Sequence, residues 1–272
     1  AYLKAWKADP RGPSTLPPGR FLMPGALDGS PALTFAPLKP AGKAKNGSLH
    51  AMMERRYEAY KTHVVRPFFR EHIARLDRQI VLVDAMQAMN AGAEAVADLE
   101  RSITEILSCF RQGRGNLLTG LFSHRIDRIL IAATKADHIH HESHDRLQAI
   151  VRRLADRAIA RADFSGAAVD VLAMAAVRAT REGTVKQGKE TLPVIIGTPL
   201  AGETIGGETF NGEAETAVFP GDLPEKPGQL FQAMEQQSPE APIRFVRFRP
   251  PRLERTAEGV TLSLPHIRLD RA

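Results

Sequence analysis

A chain of 272 residues, 43% apolar and 25% charged, is ordinary for a soluble globular protein of one large or two small domains. No apolar run approaches the roughly 20 residues that span a bilayer, and the amino terminus is polar and Pro-rich instead of a signal peptide, so direct membrane insertion is excluded. A net charge of +6 and a pI near 9.7 raise nucleic-acid binding, but the arginines are spread among acids (Arg101 with Glu105, Arg152 with Asp156) and only 6% of residues are aromatic, which argues against it.

The single cysteine, Cys109, falls in a helical pattern and reads as a core thiol, in keeping with a reducing cytoplasm. The chain opens at Ala1 without Met and stops at Ala272 just after an alternating apolar segment, so it reads as a fragment.

Residues 1–48 are rich in Pro and Gly and read as connecting structure, with Arg20–Gly25 and Ala32–Phe35 as short extended pieces. A helical pattern follows over residues 50–76, with Met52, Tyr57, Tyr60 and Val64 near helical spacing and Met52 and Met53 read as core. Pro67 predicts a kink or two successive helices. Residues 1–76 are thus expected to form a connector and helical insertion. Ile80–Asp84 is a continuously apolar strand that ends in a carboxylate, and Met89–Gly92 reads as a turn. Residues 93–112 put Val96, Leu99, Ile103, Ile106, Leu107 and Phe110 on one helix face, stopped by Gly113–Asn116. A second apolar strand, Ile129–Ala133, has the branching of one buried on both faces. Ser143 then reads as the cap of a helix carrying Leu147, Ile150, Val151 and Leu154, and Val169–Met174 as a third strand. Residues 77–180 therefore read β-α-β-α-β with parallel pairing. From 181 to 272 the pattern predicts a β-rich extension: a hairpin over 184–196, strands at Ala217–Phe219 and Phe245–Phe248, and loops at 197–212 and 235–242.

The chemistry concentrates where the Ile129 strand ends, in Thr134-Lys135-Ala136-Asp137. In an open parallel sheet the carboxyl edge of the strands is where ligands bind. A fixed carboxylate there can accept from two adjacent N–H groups of a guanine, and a Lys stem can lie along the ring. The competing reading is an ordinary turn in which Asp137 caps a helix and Lys135 is solvated. The small residues of Met174–Thr180, at the end of the next strand, suit a second base-proximal loop. His138, His140, His141 and His144, beside Asp137 and Glu142, form a histidine-rich stretch with two residues a helical turn apart. With no distant Cys or carboxylate pattern to complete a ligand set, it reads as a solvated loop and not as a metal site. No G-x-x-x-x-G-K-[ST] occurs, and the glycine-rich stretch 197–207 lacks the Lys.

Several segments, taken together and in order, resemble the YcjX family of bacterial P-loop NTPases: Phe21–Gly25 with Gly29–Leu33, DRQIVLVD at 77–84, AATKADH at 132–138, VFPGDLP at 218–224 and PHIRLD at 265–270. The resemblance implies a partial three-layer α/β P-loop NTPase-like sheet of mostly parallel strands. It also implies a protein longer at both ends, with the phosphate loop and an Asp-x-Pro-Gly switch element upstream. Thr134, Lys135 and Asp137 would occupy the guanine-specificity motif, with Thr where Asn is usual. Ala176, Val177 and Arg178 would form the third base-proximal loop, carried over for its backbone only. The implied ligands are GTP or GDP with Mg²⁺, the cation held by residues outside this chain. GTP would be hydrolysed by the full-length protein, whereas this fragment alone is expected to carry guanine recognition without catalytic residues. An ATPase of the same fold, and a non-enzymatic stress-related interaction module with an inner-membrane protein partner, are the alternatives. The expected location is the cytoplasm, extending to the periphery of the inner membrane.

Overall fold

The computed structural model describes residues 35, 45–72, 75–108, 126–188, 190–235, 243–251, 255–256, 259–260 and 265–272. The two predicted extended pieces before Phe35, Cys109, Phe110, the Gly113–Asn116 helix stop and most of the 235–242 loop lie outside them.

Helix α1 (Leu49–Tyr60) starts at Ser48, whose Oγ accepts from the Ala51 N–H at 3.2 Å. It runs through a π-helical turn (Lys61–Val65) into α2 (Arg66–Glu71), with Pro67 in the first turn of α2. The expected interruption is therefore a change of helical pitch: Pro has no N–H to offer the preceding turn, and the widened turn accommodates that. Ala51 is the one residue of these helices that is buried among the described residues, so Met52 and Met53, read from sequence as core, are only half-buried.

Strands β1 (Arg78–Val83), β2 (Arg128–Ala133) and β3 (Ala168–Ala173) form a parallel sheet in that order, with Val81 opposite Ile131 and Ile131 opposite Val171. Because side chains alternate along each strand, this register sorts them by face. One face carries Val83, Ile129, Ile131, Ala133, Val171 and Ala173, all in the main core cluster with the helices. On the other face Ile80 and Leu82 are 54% and 67% exposed. On that same face Ala132 is buried and Leu130 half-buried, so it is β1, at one edge of the sheet, that is not covered on both sides as its continuous apolar run suggests.

The helices on the packed face are α3 (Ala85–Ala91), α4 (Ala93–Ser108), α5 (His144–Leu154) and α6 (Asp156–Phe164). Residues 85–91, partly read as a turn, are helical because the Asp84 carboxylate accepts from the Gln87 N–H at 3.2 Å and caps them. The break comes one residue later, at Gly92, whose φ of +98° only glycine adopts readily. Helix α4 buries Val96, Ile103 and Leu107, while Ile106, at the edge of that stripe, is exposed. Helix α5 buries Leu147, Ile150, Val151 and Leu154 as its spacing predicts, although Ser143 makes no side-chain cap bond. Each such burial is worth about 1.5–3 kcal/mol relative to exposure, and together they hold β2 and β3 under the helices.

Beyond Thr180 the pairing turns antiparallel. Strands β4 (Arg181–Gln187) and β5 (Glu190–Gly197) form the predicted hairpin, and β8 (Thr216–Val218) adds to the far side of β5. Between them a two-residue ladder, β6 (Thr204–Ile205) with β7 (Glu208–Thr209), occupies a stretch read as loop. Helix α7 (Pro227–Glu235) was not anticipated. A further small ladder pairs β9 (Arg255–Thr256) with β10 (Gly259–Val260). Phe245–Phe248 is not a strand: it makes one isolated bridge, Pro199 to Phe248, and buries Phe245, Val246 and Phe248. The two bonds that flank the bridge, Leu200 N–H to the Arg247 carbonyl and Arg249 N–H to the Thr198 carbonyl, are both 2.8 Å, and the pairing is not extended into a named strand. Among the described residues no helix is long and apolar enough to cross a membrane.

Candidate functional site

The parallel strands deliver their last residues to a common carboxyl edge. Beyond β1 stands Asp84; beyond β2, Thr134 to His138; beyond β3, Met174 to Thr180. Thr134 stays attached to β1, its N–H and its Oγ1 both directed at the Val83 carbonyl at 2.9 and 3.2 Å. Ala136 attaches to the opposite side, its N–H donating to the Met174 carbonyl at 3.1 Å. Lys135, between them, has φ +62° and ψ +31°, a left-handed conformation that costs a non-glycine residue about 1–2 kcal/mol. The turn is thus stretched between two neighbouring strands, and its conformation is imposed from both sides.

This bend orients the side chains. Lys135 Nζ lies 2.5 Å from Asp84 Oδ2 across the gap between β1 and β2, both groups being partly exposed, so the pair is worth at most about 1 kcal/mol. Its role is orientation: it lays the lysine stem along the sheet edge. Asp137, in the 3-10 turn Ala136–His138, is 4% exposed, and its Oδ2 accepts from the Ala179 N–H at 2.8 Å. The Thr180 hydroxyl donates to the Asp137 carbonyl. Both loops are therefore fastened to each other through Asp137, side chain and backbone together.

The third predicted loop divides. Ala176 and Val177 are exposed, whereas Arg178 is half-buried, its N–H donating to Pro265 O at 2.7 Å and its Nε to Thr180 O at 3.0 Å. One residue before the loop, Ala175 exchanges both backbone bonds with Ile267 at 3.0 and 2.9 Å. The segment around 265–267 thus runs beside the loop and uses the Arg178 N–H, leaving Ala176 and Val177 as its free tip.

The histidine stretch is not a solvated loop. His138 is 8% exposed and packs edge-on against Phe248 at 5.2 Å between ring centroids. His144 is 4% exposed, with Nε2 2.8 Å from the Ala136 carbonyl. Burial pushes both imidazoles below the ordinary histidine value; for His138 the nearby Asp137 opposes the shift, and for His144 the Ala136 carbonyl does. Neutral His144 therefore donates from Nε2 and supports the same turn from beneath.

Two residues of the edge were not singled out from sequence. Asp84 was noted only as a strand-ending carboxylate, and that position was the available signal. Thr180 carried none, since its partner is Asp137, 43 positions earlier.

The fold and the edge define a mixed α/β protein with a short parallel sheet whose carboxyl-edge loops are tied together by polar contacts. The chain belongs to the YcjX-like family, DUF463, matched over residues 1–272. A protein named Ras-like GTPase YcjX from Escherichia coli is 35% identical over 267 residues, covering 94% of this chain and 52% of that protein. One of the same name from Shewanella oneidensis is 33% identical over 262 residues, covering 93% of this chain and 50% of its own length. The chain thus spans about half the length of the curated relatives it matches.

Proposed function

We propose that this chain forms the base-reading side of a GTP site, and that the full-length protein binds GTP with Mg²⁺ and hydrolyses it to GDP and phosphate. The observation that carries this reading is the anchoring of Asp137. An aspartate that only capped a local helix would accept from a residue two or three positions on, whereas Asp137 accepts from Ala179, 42 positions away, at the end of the neighbouring strand. Nor is Lys135 simply solvated, because Asp84 holds it across the edge. The GTPase names of the relatives support the same reading.

In the proposed complex, residues 77–180 supply the base pocket. Guanine N1–H and N2–H donate to the Asp137 carboxylate, whose Oδ2 is already fixed by Ala179. The Lys135 stem lies along the ring, and Thr134 braces the turn on Val83. The Val177 N–H meets the base oxygen, with Ala176 and Arg178 shaping the loop around it. Adenine has no N1–H and no amino group at that position, so it offers the carboxylate neither of the two donors that guanine would supply. Mg²⁺, when bound, neutralises phosphate charge. This chain has no G-x-x-x-x-G-K-[ST], and Asp84 is engaged by Lys135, so neither cation nor phosphate is assigned to a described residue. The proposal includes a cytoplasmic protein that meets the inner membrane through a protein partner.

Calorimetry on the full-length protein tests it. Asp137→Asn is expected to weaken GTP binding by roughly 100-fold or more and to admit xanthosine triphosphate, whose C2 carbonyl oxygen accepts where the guanine 2-amino group donates. Unchanged GTP affinity in that variant refutes the assignment. ATP binding as tight as GTP supports the ATPase alternative, and absence of any nucleotide binding supports the interaction module.

A further inference from the structure

Three residues past Asp137 the chain places two adjacent imidazoles, His140 and His141, with ring centroids 4.3 Å apart. Sequence offered no distant ligand to complete them, but the structure does. Glu182, the second residue of β4, reaches back 41 positions, and its Oε2 lies 2.7 Å from His141 Nδ1 and 3.8 Å from His140 Nε2. Its other oxygen, Oε1, accepts from the His141 N–H at 3.0 Å, which fixes the carboxylate in place. Glu142 stands on the opposite side of His140, with Oε2 3.5 Å from Nδ1. His140, His141 and Glu142 can each bring one ligand atom within 4.8 Å of the others.

Two features separate this cluster from a chance grouping of surface charges. The His140 side chain is only 14% exposed, and its Nδ1 is buried with no hydrogen-bond partner. Most buried polar atoms in folded proteins are satisfied, so an orphaned imidazole nitrogen beside a carboxylate calls for an explanation. The second feature is spacing. Nitrogen and oxygen ligands at 2.0–2.2 Å around a tetrahedral cation stand about 3.3–3.5 Å from one another. The observed separations of 2.7 and 3.8 Å around Glu182 Oε2 bracket that value, so this oxygen stands within ligand distance of both rings.

We propose that His140, His141 and Glu182 bind a divalent transition-metal ion of the Zn²⁺ type, with Glu142 accepting from His140 Nδ1–H as the outer partner that orients the ring. Two imidazoles and a carboxylate suit such an ion rather than Ca²⁺ or Mg²⁺, which prefer all-oxygen sites. The carboxylate–histidine–metal relay through Glu142 is the usual way an imidazole ligand is held. Bound metal ties the stretch that follows Asp137 to the first strand of the antiparallel hairpin. It thereby couples the edge loop to the 181–197 hairpin, whichever nucleotide that edge takes.

The test uses untagged, metal-free full-length protein, titrated with ZnCl₂ by calorimetry and with CoCl₂ by visible absorption. The expected result is one ion per chain and intense tetrahedral Co²⁺ bands. Glu182→Gln and His140→Ala are each expected to lower the affinity at least about tenfold, the smaller loss typical for an outer-shell partner alone. Because His141 is 62% exposed, His141→Ala leaves the fold undisturbed and provides the same readout should a buried variant misfold. No saturable Zn²⁺ binding, or affinity unchanged in His141→Ala, overturns the proposal. Neither result bears on GTP, which is measured separately.

Discussion

Asp137 has two separable duties, and the structure assigns a different substitution to each. Asp137→Ala removes the acceptor of the Ala179 N–H, a 2.8 Å bond within a residue only 4% exposed. A buried donor left unpaired costs about 1–3 kcal/mol, and bonds to charged acceptors lie toward the upper end. Asp137→Asn keeps an oxygen at the same place and so retains that bond in neutral form, losing about 1 kcal/mol or less. For a chain of this size each kcal/mol moves the melting temperature by roughly 2–4 °C, so the Ala variant is expected to melt several degrees below the Asn variant. Thr180→Val removes the hydroxyl that donates to the Asp137 carbonyl and belongs to the same patch. The double variant Asp137→Ala/Thr180→Val should therefore lose less than the sum of the two singles, because groups sharing one network are not additive. Thermal denaturation of the four variants beside wild type, followed by far-ultraviolet circular dichroism, reads all of this at once. If Asp137→Ala melts with wild type, the Ala179 bond does not fasten the two loops, and the argument that Asp137 is positioned rather than merely capping collapses.

Two further outcomes rest on other contacts. Gly197→Ala would set a Cβ 2.8 Å from Phe248 Cδ1 and 3.1 Å from Thr180 Cγ2, so overpacking is expected to cost about 1–3 kcal/mol, visible as a lower urea midpoint. His144, whose value burial and Arg268 lower against the pull of the Ala136 carbonyl and Glu182, is neutral when folded and takes up a proton more readily when unfolded. Its stabilising contribution is complete above the ordinary imidazole value of 6.5 and is lost as pH falls below it, so stability should drop from neutral to acidic pH. His144→Gln, which keeps an N–H donor but does not titrate, should flatten that slope, and an unaltered slope assigns the acid sensitivity elsewhere.

The elements that sequence made legible are those whose reason is local. Ile129–Ala133 is a strand because a short branched apolar run permits little else, and α5 follows from four apolar residues at helical spacing. The hairpin of β4 and β5 is written around Gly188, whose φ of +65° closes the turn. Where sequence misled, a side chain was in use over a long distance. Asn90, taken as a turn former, instead clasps the backbone of Phe245, donating to its carbonyl at 2.6 Å and accepting from its N–H at 3.0 Å, which leaves α3 helical. The same clasp helps explain Phe245–Phe248: its backbone is satisfied by Asn90, by Glu203 and by the 198–200 segment, not by a strand ladder. At the edge, the TKAD tetrapeptide was legible at the end of its strand, but the Asp84, Ala179 and Thr180 partners are 42 to 51 positions away and no spacing encodes them. Glu182 was invisible for the same reason, and without it the histidines had no third ligand.

The strained residue shows why these distant contacts belong together. A lysine in the left-handed region is unfavourable by itself, and such a conformation persists only where the surroundings determine it from several directions. Thr134 is bound to β1, Ala136 to β3, Asp137 to Ala179, and His144 supports the Ala136 carbonyl, so each neighbour of Lys135 is held by a different element. A relaxed turn of the same length would need none of these. What the strain secures is direction: it turns the Lys135 stem toward Asp84 along the edge, while the Asp137 carboxylate is held by Ala179 on the neighbouring loop. The guanine site proposed above would use both results, a lysine stem laid along the edge and a carboxylate fixed by the neighbouring loop. That convergence of anchors on one strained residue is the observation on which the proposed reading, and not the ordinary strand-to-helix turn, draws.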